Sequence, residues 1–203
     1  MPLIKYNNQS LSAITALPSA IPTGKLKLIS SQTASNSASI SFTSGLTSTY
    51  KVYKFVFVNI KPATDSVFFD FNMSTDSGSN YNITKTTSAF YAEHTEADTS
   101  ANLLYDSGQD LAQSTAFQHI SYPIGNGADE SASGTLTIFN PSSTTYVKHF
   151  ISNLHTYEAA NNAVNFFVAG YGNTTSAVNA VQFKMSSGNI SAGTIYLYAI
   201  DNS

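Results

Sequence analysis

The sequence predicts an all-β fold: a two-sheet antiparallel β-sandwich, jelly-roll-like, with an extended N-terminal arm. Apolar and polar residues alternate with period two along most of the chain from Lys25 onward, and turn-forming residues separate these runs. No run has the amphipathic spacing of a helix, which argues against a fold that alternates strands and helices. With 203 residues, the chain is long enough to bury a core without disulfides or metals.

Two parts are predicted, an extended arm at residues 1–24 and a single β-sandwich domain at residues 25–203. Three prolines in the arm, Pro2, Pro18 and Pro22, prevent a regular ladder or helix. The arm also carries spaced apolar residues, so we expect it to lie on a surface, either its own domain or a neighbouring subunit or scaffold. Its candidate partner-contact residues are Leu3, Ile4, Leu11, Ile14 and Leu17.

The first half of the domain alternates most clearly at 26–28, 40–42, 50–60, 66–73 and 81–93, and these runs are predicted strands. The run 50–60 is apolar on both faces. One face carries Tyr53, Phe55 and Phe57, and the other carries Val52, Val56 and Val58. A strand of this kind is central in a sheet or lies beneath a second layer.

The middle of the domain is less regular. Residues 93–113 are rich in acids and poor in β-branched residues, so they are predicted to be irregular, with a short helical turn at 110–115, and residues 123–133 are predicted to form a loop. Further strands are predicted at 116–122, 136–138, 145–155, 164–171, 181–185 and 194–200. The total of about nine to eleven strands favours a sandwich or barrel.

Composition excludes several classes of function. Only 10% of the residues are charged, the nine basic residues are all lysines, and the net charge is −3, which disfavours nucleic-acid binding. No apolar stretch is long enough to span a membrane, and the first residues have no apolar core of a signal peptide. The absence of cysteine excludes disulfides and thiolate chemistry.

Four groups of residues are candidates for a binding or catalytic site. His94, Glu96 and Asp98 would share a strand face and could hold a divalent ion, although a charged run is usually a solvated loop. Residues 76–80 resemble a calcium loop in residue type alone, because the acidic spacing is missing. His149 and His155 share a strand face but are about 20 Å apart, too far for one ion.

The fourth group is aromatic: Tyr50, Tyr53, Tyr196 and Tyr198 would stack on sugars, contact a partner or fill the rim of the sandwich. The chain has no Gly-x-Ser-x-Gly nucleophile motif and no phosphate-binding glycine loop. We therefore predict no catalytic residue, no metal site, no cofactor and no enzymatic activity.

Several segments carry a family resemblance. They are 1–8, 13–18, 76–87, 111–115, 133–136, 139–151 and 193–200. Together they make the chain similar to a family of virion structural proteins of marine tailed bacteriophages, including cyanophages and phages of related oceanic bacteria. Ala199, where relatives have glycine, and the three residues after Ile200 depart from the pattern. The family provides no catalytic or binding residues to transfer.

The resemblance implies a non-enzymatic virion surface protein, assembled in the host cytoplasm without a signal peptide. The leading expectation is a capsid decoration or cement protein that binds the shell as an oligomer, a homotrimer by analogy, with the major capsid protein as its partner. The alternative is a tail fibre, tail-tip adaptor or receptor-binding component that binds a host surface glycan. Neither expectation involves nucleic acid or a membrane.

Overall fold

The computed structural model describes residues 26–200, and the predicted arm with its five apolar contact residues lies outside the described residues. Twelve β-strands and no helix occur in this range. The strands are β1 (Leu26–Thr33), β2 (Ile40–Phe42), β3 (Val52–Pro62), β4 (Phe69–Ser74), β5 (Lys85–Thr95), β6 (Ala101–Tyr105), β7 (Gln118–His119), β8 (Ala132–Phe139), β9 (Lys148–Glu158), β10 (Asn162–Gly172), β11 (Ala180–Met185) and β12 (Ile190–Ile200). Accordingly, no helix within residues 26–200 is long and apolar enough to cross a membrane.

The strands form two antiparallel sheets, which confirms the predicted β-sandwich. The larger sheet has eight strands in the order β1-β12-β3-β8-β9-β10-β5-β6, and the smaller has four in the order β2-β11-β4-β7. Every pairing between named strands is antiparallel. This order is compatible with the predicted jelly-roll-like connectivity, with the hairpins β5–β6 and β9–β10 added to the larger sheet.

The core lies between the two sheets and is rich in phenylalanine. In β3 the predicted alternation holds, because Tyr53, Phe55 and Phe57 are all buried and face the smaller sheet. Phe183 of β11 meets the rings of Phe55 and Phe57 edge-on, with centroids 5.0 and 5.2 Å apart. Edge-to-face packing of this kind adds about 0.5–1.5 kcal/mol per pair to the free energy gained by burying the rings.

The larger sheet extends past the smaller one at the hairpins β5–β6 and β9–β10. There the long connection between β7 and β8 packs on it. Ile120 and Ile124, in the segment between β7 and β8, are fully buried. Between them, Tyr122 contacts Tyr91 of β5 and Phe166 of β10, with ring centroids 4.9 and 6.3 Å apart. The smaller sheet and this connection therefore cover most of one face of the larger sheet, while Leu104 of β6 on that side stays exposed.

Some local predictions were wrong. Residues 93–113 contain the strand β6, because residues 101–105 pair with β5 in the register Ala92↔Leu103. Residues 110–115 contain no helical turn, and the strand predicted at 116–122 shortens to Gln118–His119. The described residues thus hold one strand more than the upper end of the predicted range.

Candidate functional site: the uncovered face of the larger sheet

The second face of the larger sheet, which we call the outer face, has no layer over it among the described residues. It consists of the outward side chains of the eight strands, which register in rows across the sheet. One row is Leu28, Tyr198, Lys54, Thr137, Ile151, Ala169 and Ser88. The next is Ser31, Tyr196, Val56, Thr135, Asn153, Phe167, Phe90 and Tyr105.

Large apolar side chains on the outer face are exposed to solvent. Leu28 and Ile151 retain 51% and 52% of their accessible surface, and Val58 and Phe139 are also exposed. Phe90 stacks on Phe167 with ring centroids 4.7 Å apart, so this aromatic pair stands on the open side. These exposed residues form groups separated by polar ones: Phe139 lies with Ile151, and Phe90 with Phe167. Grouped apolar residues favour an interaction site, whereas a single exposed leucine does not.

The outer face carries little charge. Lys54 and Lys61 are the lysines at its outward positions, and no Asp or Glu occupies an outward position of the eight strands. His94, His149 and His155 are the other titratable outward residues besides tyrosines. A partner that covers these strand positions therefore buries no carboxylate that belongs to them, and carboxylates are costly to remove from water. Acids meet the face only at its margin, in the connections that follow β5 and β6, where Glu96, Asp98 and Asp110 contact Tyr157, His94 and Tyr105.

A shallow depression of about 480 Å³ interrupts the outer face where β9 and β10 meet. Ser88 and Ala169 contribute small side chains to its lining and Gly170 contributes backbone, while Phe139, His149, Ile151 and Tyr171 contribute large side chains. The His149 and Tyr171 rings lie 6.4 Å apart. The depression therefore lies among exposed apolar and aromatic side chains of the outer face.

The predicted tyrosines divide between this face and the core. Tyr196 and Tyr198 are half-buried outward residues of β12 with ring centroids 6.2 Å apart. Tyr53 is fully buried, and its hydroxyl donates to the Thr47 carbonyl (3.0 Å) and accepts from the Thr47 N–H (2.8 Å). Tyr50 packs edge-on against Tyr53, 6.2 Å between centroids. Tyr196 and Tyr198 therefore remain as candidate contacts.

The candidate metal ligands do not converge. His94 Nε2 and Asp98 Oδ1 are 3.2 Å apart, but both side chains are exposed, and Glu96 instead accepts from the Tyr157 hydroxyl at 3.1 Å. Between residues 26 and 200, no group of three or more His, Asp or Glu side chains could hold a metal ion. His149 and His155 do share the outer face of β9, with Asn153 between them, as predicted.

The loop at residues 76–80 is a closed turn. Asp76 Oδ1 accepts from the Ser74 hydroxyl at 2.6 Å and from the Asn80 N–H at 2.9 Å, and its other oxygen accepts from the Asn80 amide at 2.7 Å. These hydrogen bonds, led by that of Ser74, lower the pKa of Asp76 to about 2. Its carboxylate oxygens are engaged by the turn itself, which supports the interpretation of this loop as structural.

One polar pair, Asp70 and His119, was not predicted from the sequence. His119 of β7 contacts the nearly buried carboxylate of Asp70 of β4, and Phe68 stacks on the His119 ring with centroids 4.2 Å apart. Burial raises the pKa of Asp70, opposed by the hydrogen bond from His119. No hydroxyl within the described range hydrogen-bonds to His119, so the pair lacks the nucleophile of a hydrolytic triad.

The outer face of the larger sheet is therefore the best-supported functional surface among the described residues. A comparison of the chain with protein-family models, with curated proteins and with solved structures finds no match.

Proposed function

We propose that the chain is a non-enzymatic surface protein of a tailed-phage virion, a decoration or cement protein that attaches to the capsid shell. Two lines support the proposal. The sequence segments described above resemble virion structural proteins of marine tailed phages. The outer face offers groups of exposed apolar and aromatic residues, and none of its outward strand positions is Asp or Glu. This is the observation that carries the proposal.

The outer face has the dimensions that a stable attachment needs. Eight strands about 4.8 Å apart, with the longest near 11 residues, define a sheet face of roughly 1,000 Å². A standard protein interface buries about 800 Å² on each partner. Burying one large apolar side chain contributes about 1.5–3 kcal/mol before the loss of rotational and translational freedom is subtracted, so several outward residues must act together.

In this proposal the partner is the major capsid protein, and the chain binds it as a homotrimer assembled in the host cytoplasm. The arm, with Leu3, Ile4, Leu11, Ile14 and Leu17, extends the contact beyond the sandwich. In this proposal binding rests on contacts of the outer face and of the arm, and it uses no cofactor or metal.

The first experiment measures how a purified full-length chain binds phage particles from which it has been stripped. Ile151→Lys places a charge at the centre of the outer face, where Ile151 is half exposed. We expect its binding, measured by co-sedimentation, to fall by roughly tenfold or more, because a desolvated ammonium replaces an apolar contact.

The control is Ser187→Lys, which adds the same charge at an exposed turn between β11 and β12. This variant should bind the particle like the unmodified chain. Equal binding of both variants would contradict the role of the outer face. Images of the particle with density for this fold on the tail alone, and none on the head, would reject the decoration role.

A second candidate function follows from the depression at His149 and Tyr171. A hollow lined by His149 and Tyr171 also suits a sugar ring, which stacks on aromatic side chains. This favours the alternative of a tail-tip adaptor or receptor-binding protein for a host surface glycan. Binding of the purified chain to host cells, lost on Tyr171→Ala, would support this function in place of decoration.

A further inference from the structure

The edge strand β6 is open along its whole length. Its five residues pair with β5 on one side, and no described residue pairs with it on the other. The Asp106 N–H donates to the Ala89 carbonyl (2.9 Å) and the Thr95 N–H to the Ser100 carbonyl (3.1 Å), which fixes the alternation of the ladder. The backbone groups of Leu103 and Tyr105 therefore point to the open side.

This edge lacks the usual protection against pairing. Natural sheets shield an edge with lysine, proline, a bulge or a very short strand. β1, at the opposite edge of the same sheet, carries Lys27 and an irregularity between Leu28 and Ser30. The outer strands of the smaller sheet, β2 and β7, have three and two residues. β6 has neither proline, charge nor bulge.

The side chains of β6 offer apolar contact on both sides of the sheet. Leu103 and Tyr105 point to the outer side and are 71% and 59% exposed, and Leu104 points to the other side and is 48% exposed. An added strand would therefore gain backbone hydrogen bonds and apolar contacts on both of its faces. Strand addition to an open sheet edge is an established mode of recognition.

Charge narrows the choice of occupant. The hairpin β5–β6 and its flanks contain Glu93, Glu96, Asp98, Asp106 and Asp110, and residues 86–147 contain no lysine or arginine. Two such hairpins paired edge to edge would bring acid next to acid. Residues 1–24 contain one lysine and no acid, so this segment meets no like-charge repulsion at the β6 edge.

Sequence and length fit the same segment. Residues 3–17 are free of proline and include all five spaced apolar residues of the arm. Fifteen residues exceed what a five-residue edge requires. Proline at positions 18 and 22 then separates this stretch from β1, where proline cannot donate to a ladder.

We propose that the β6 edge binds residues 3–17 of a neighbouring copy of this chain as an added antiparallel or parallel strand. The inference rests on the proposed function as an assembling surface protein and names the contact between copies. Seven strand spacings of about 4.8 Å separate β1 from β6. An arm that binds β6 of its own chain therefore needs about ten residues to cross the sheet from β1. A neighbour placed edge to edge presents its β1, and the arm before it, beside β6.

Donor and acceptor lie at opposite edges of one sheet, which is the geometry of a head-to-tail contact. Contacts of this type close into rings when the rotation between copies permits. The proposed homotrimer is one such ring, in which every arm is donated and every β6 edge is occupied.

The test is hydrogen exchange of the full-length chain, followed by mass spectrometry with fragmentation to single residues. We expect the amides of Leu103 and Tyr105, which have no partner within the described chain, to exchange at least roughly tenfold more slowly than unprotected amides. Leu103→Pro removes an N–H that β5 does not use, so it should abolish protection of residues 3–17 while the β5 amides stay protected. Leu103→Lys, which leaves the backbone intact, should weaken the same protection.

A mixing experiment separates a neighbour's arm from the chain's own. The second chain has residues 3–17 replaced by fifteen Gly and Ser residues, so it keeps β6 but has no strand to donate. When this second chain is mixed with the Leu103→Pro variant, its Leu103 and Tyr105 amides should become protected, because the variant still has an arm to donate. The β6 peptides of the two chains differ in mass, so their exchange can be measured separately. Protection in the unmodified chain without recovery in the mixture would show that the arm binds its own domain and would overturn the proposal.

Unprotected exchange of both β6 and residues 3–17 in the unmodified chain would also overturn it. This test is independent of the proposed function. Ile151→Lys should keep the exchange protection of Leu103 and Tyr105 although it binds the particle more weakly. Conversely, Leu103→Pro tests the contact between copies without any particle present.

Discussion

Asn72 and Lys85 form a buried polar unit in which nearly every hydrogen-bonding group has a partner. The Asn72 amide donates to the carbonyls of Tyr81 (2.8 Å) and Thr115 (3.0 Å), and its oxygen accepts from Lys85 Nζ at 2.7 Å. Lys85 Nζ also donates to the Ile83 carbonyl at 2.8 Å. The two acceptors of Lys85, the Asn72 oxygen and the Ile83 carbonyl, match the two N–H groups of a neutral amine. Through Asn72, the unit also links β4 to the connections that contain Tyr81 and Thr115.

Burial lowers the pKa of Lys85 from its ordinary value of 10.5 to about 7. Between these two values the unfolded chain holds a proton at Lys85 that the folded chain has released, so the free energy of unfolding rises with pH over this interval. One such group gives a slope of up to about 1.4 kcal/mol per pH unit. Below pH 7 both states are protonated, and Lys85 contributes no slope.

We therefore expect stability to increase from pH 7 to pH 9.5 in the unmodified chain, and Lys85→Met to remove most of this increase. Urea unfolding at several pH values measures both slopes. Burial also lowers the pKa of Lys148, whose Nζ donates to the Tyr146 and Thr174 carbonyls, so a residual slope of the same sign should persist. Identical slopes in the two proteins would contradict a neutral Lys85.

β12 is the element that joins the edge strand β1 to the central strand β3, and it departs from a regular ladder near its start. Its register with β3 shifts between Ile190 and Ala192 and again between Ala192 and Thr194. Gly193 lies in this irregular part with φ of +118°, a conformation that L side chains rarely adopt. A Cβ there would be 2.7 Å from the Asn59 carbonyl oxygen, closer than backbone permits.

Gly193→Ala should consequently destabilise the fold by at least about 2 kcal/mol, since it adds both a strained backbone angle and a clash with an immobile strand. The urea midpoint gives the change in the free energy of unfolding. Gly108→Ala is the matched control, because its added Cβ would meet only the Asp106 carboxylate, at 3.4 Å. It should stay within about 0.5 kcal/mol of the unmodified chain, and an equal loss in both variants would argue against the backbone explanation.

Alternation in the sequence predicts elements well where one face or both faces are apolar, and fails where a strand has no buried face. β3 was predicted with both of its apolar faces because aromatic residues at 53, 55 and 57 alternate with valines at 52, 56 and 58. β6 was missed because Leu103, Leu104 and Tyr105 lie among acids, and a strand exposed on both sides has no buried face to impose a period. The pattern predicted that β3 is central in a sheet or lies beneath a second layer. β3 is the third of the eight strands, and its valine side belongs to the outer face.

At the scale of the molecule, the sandwich follows from the strand content, but its division into eight and four strands does not. The pairing of β1 with β12 joins the two ends of the described chain, and Asp70 contacts His119, which is 49 positions away in the sequence. Local periodicity cannot predict contacts between residues so far apart in the sequence. The two hairpins β5–β6 and β9–β10 add four strands to one sheet alone. They widen the outer face and produce the open β6 edge, so both proposed contacts depend on these added elements.

The composition of the outer face leads to a prediction about salt. Ion pairs at an exposed interface weaken as salt rises, because the Debye length falls from about 10 Å at 0.1 M to about 3 Å at 1 M. Apolar burial and backbone pairing are not screened in this way, and the outward positions of the eight strands contain no carboxylate.

We expect the affinity of the full-length chain for stripped particles to change by less than about threefold between roughly 0.1 M and 0.6 M NaCl. Co-sedimentation across this range measures the change, with Ile151→Glu as a variant whose new carboxylate should make the residual binding salt-dependent. A tenfold loss for the unmodified chain would mean that charged residues outside the outer face hold the particle, and the attachment surface would then have to be sought elsewhere on the molecule.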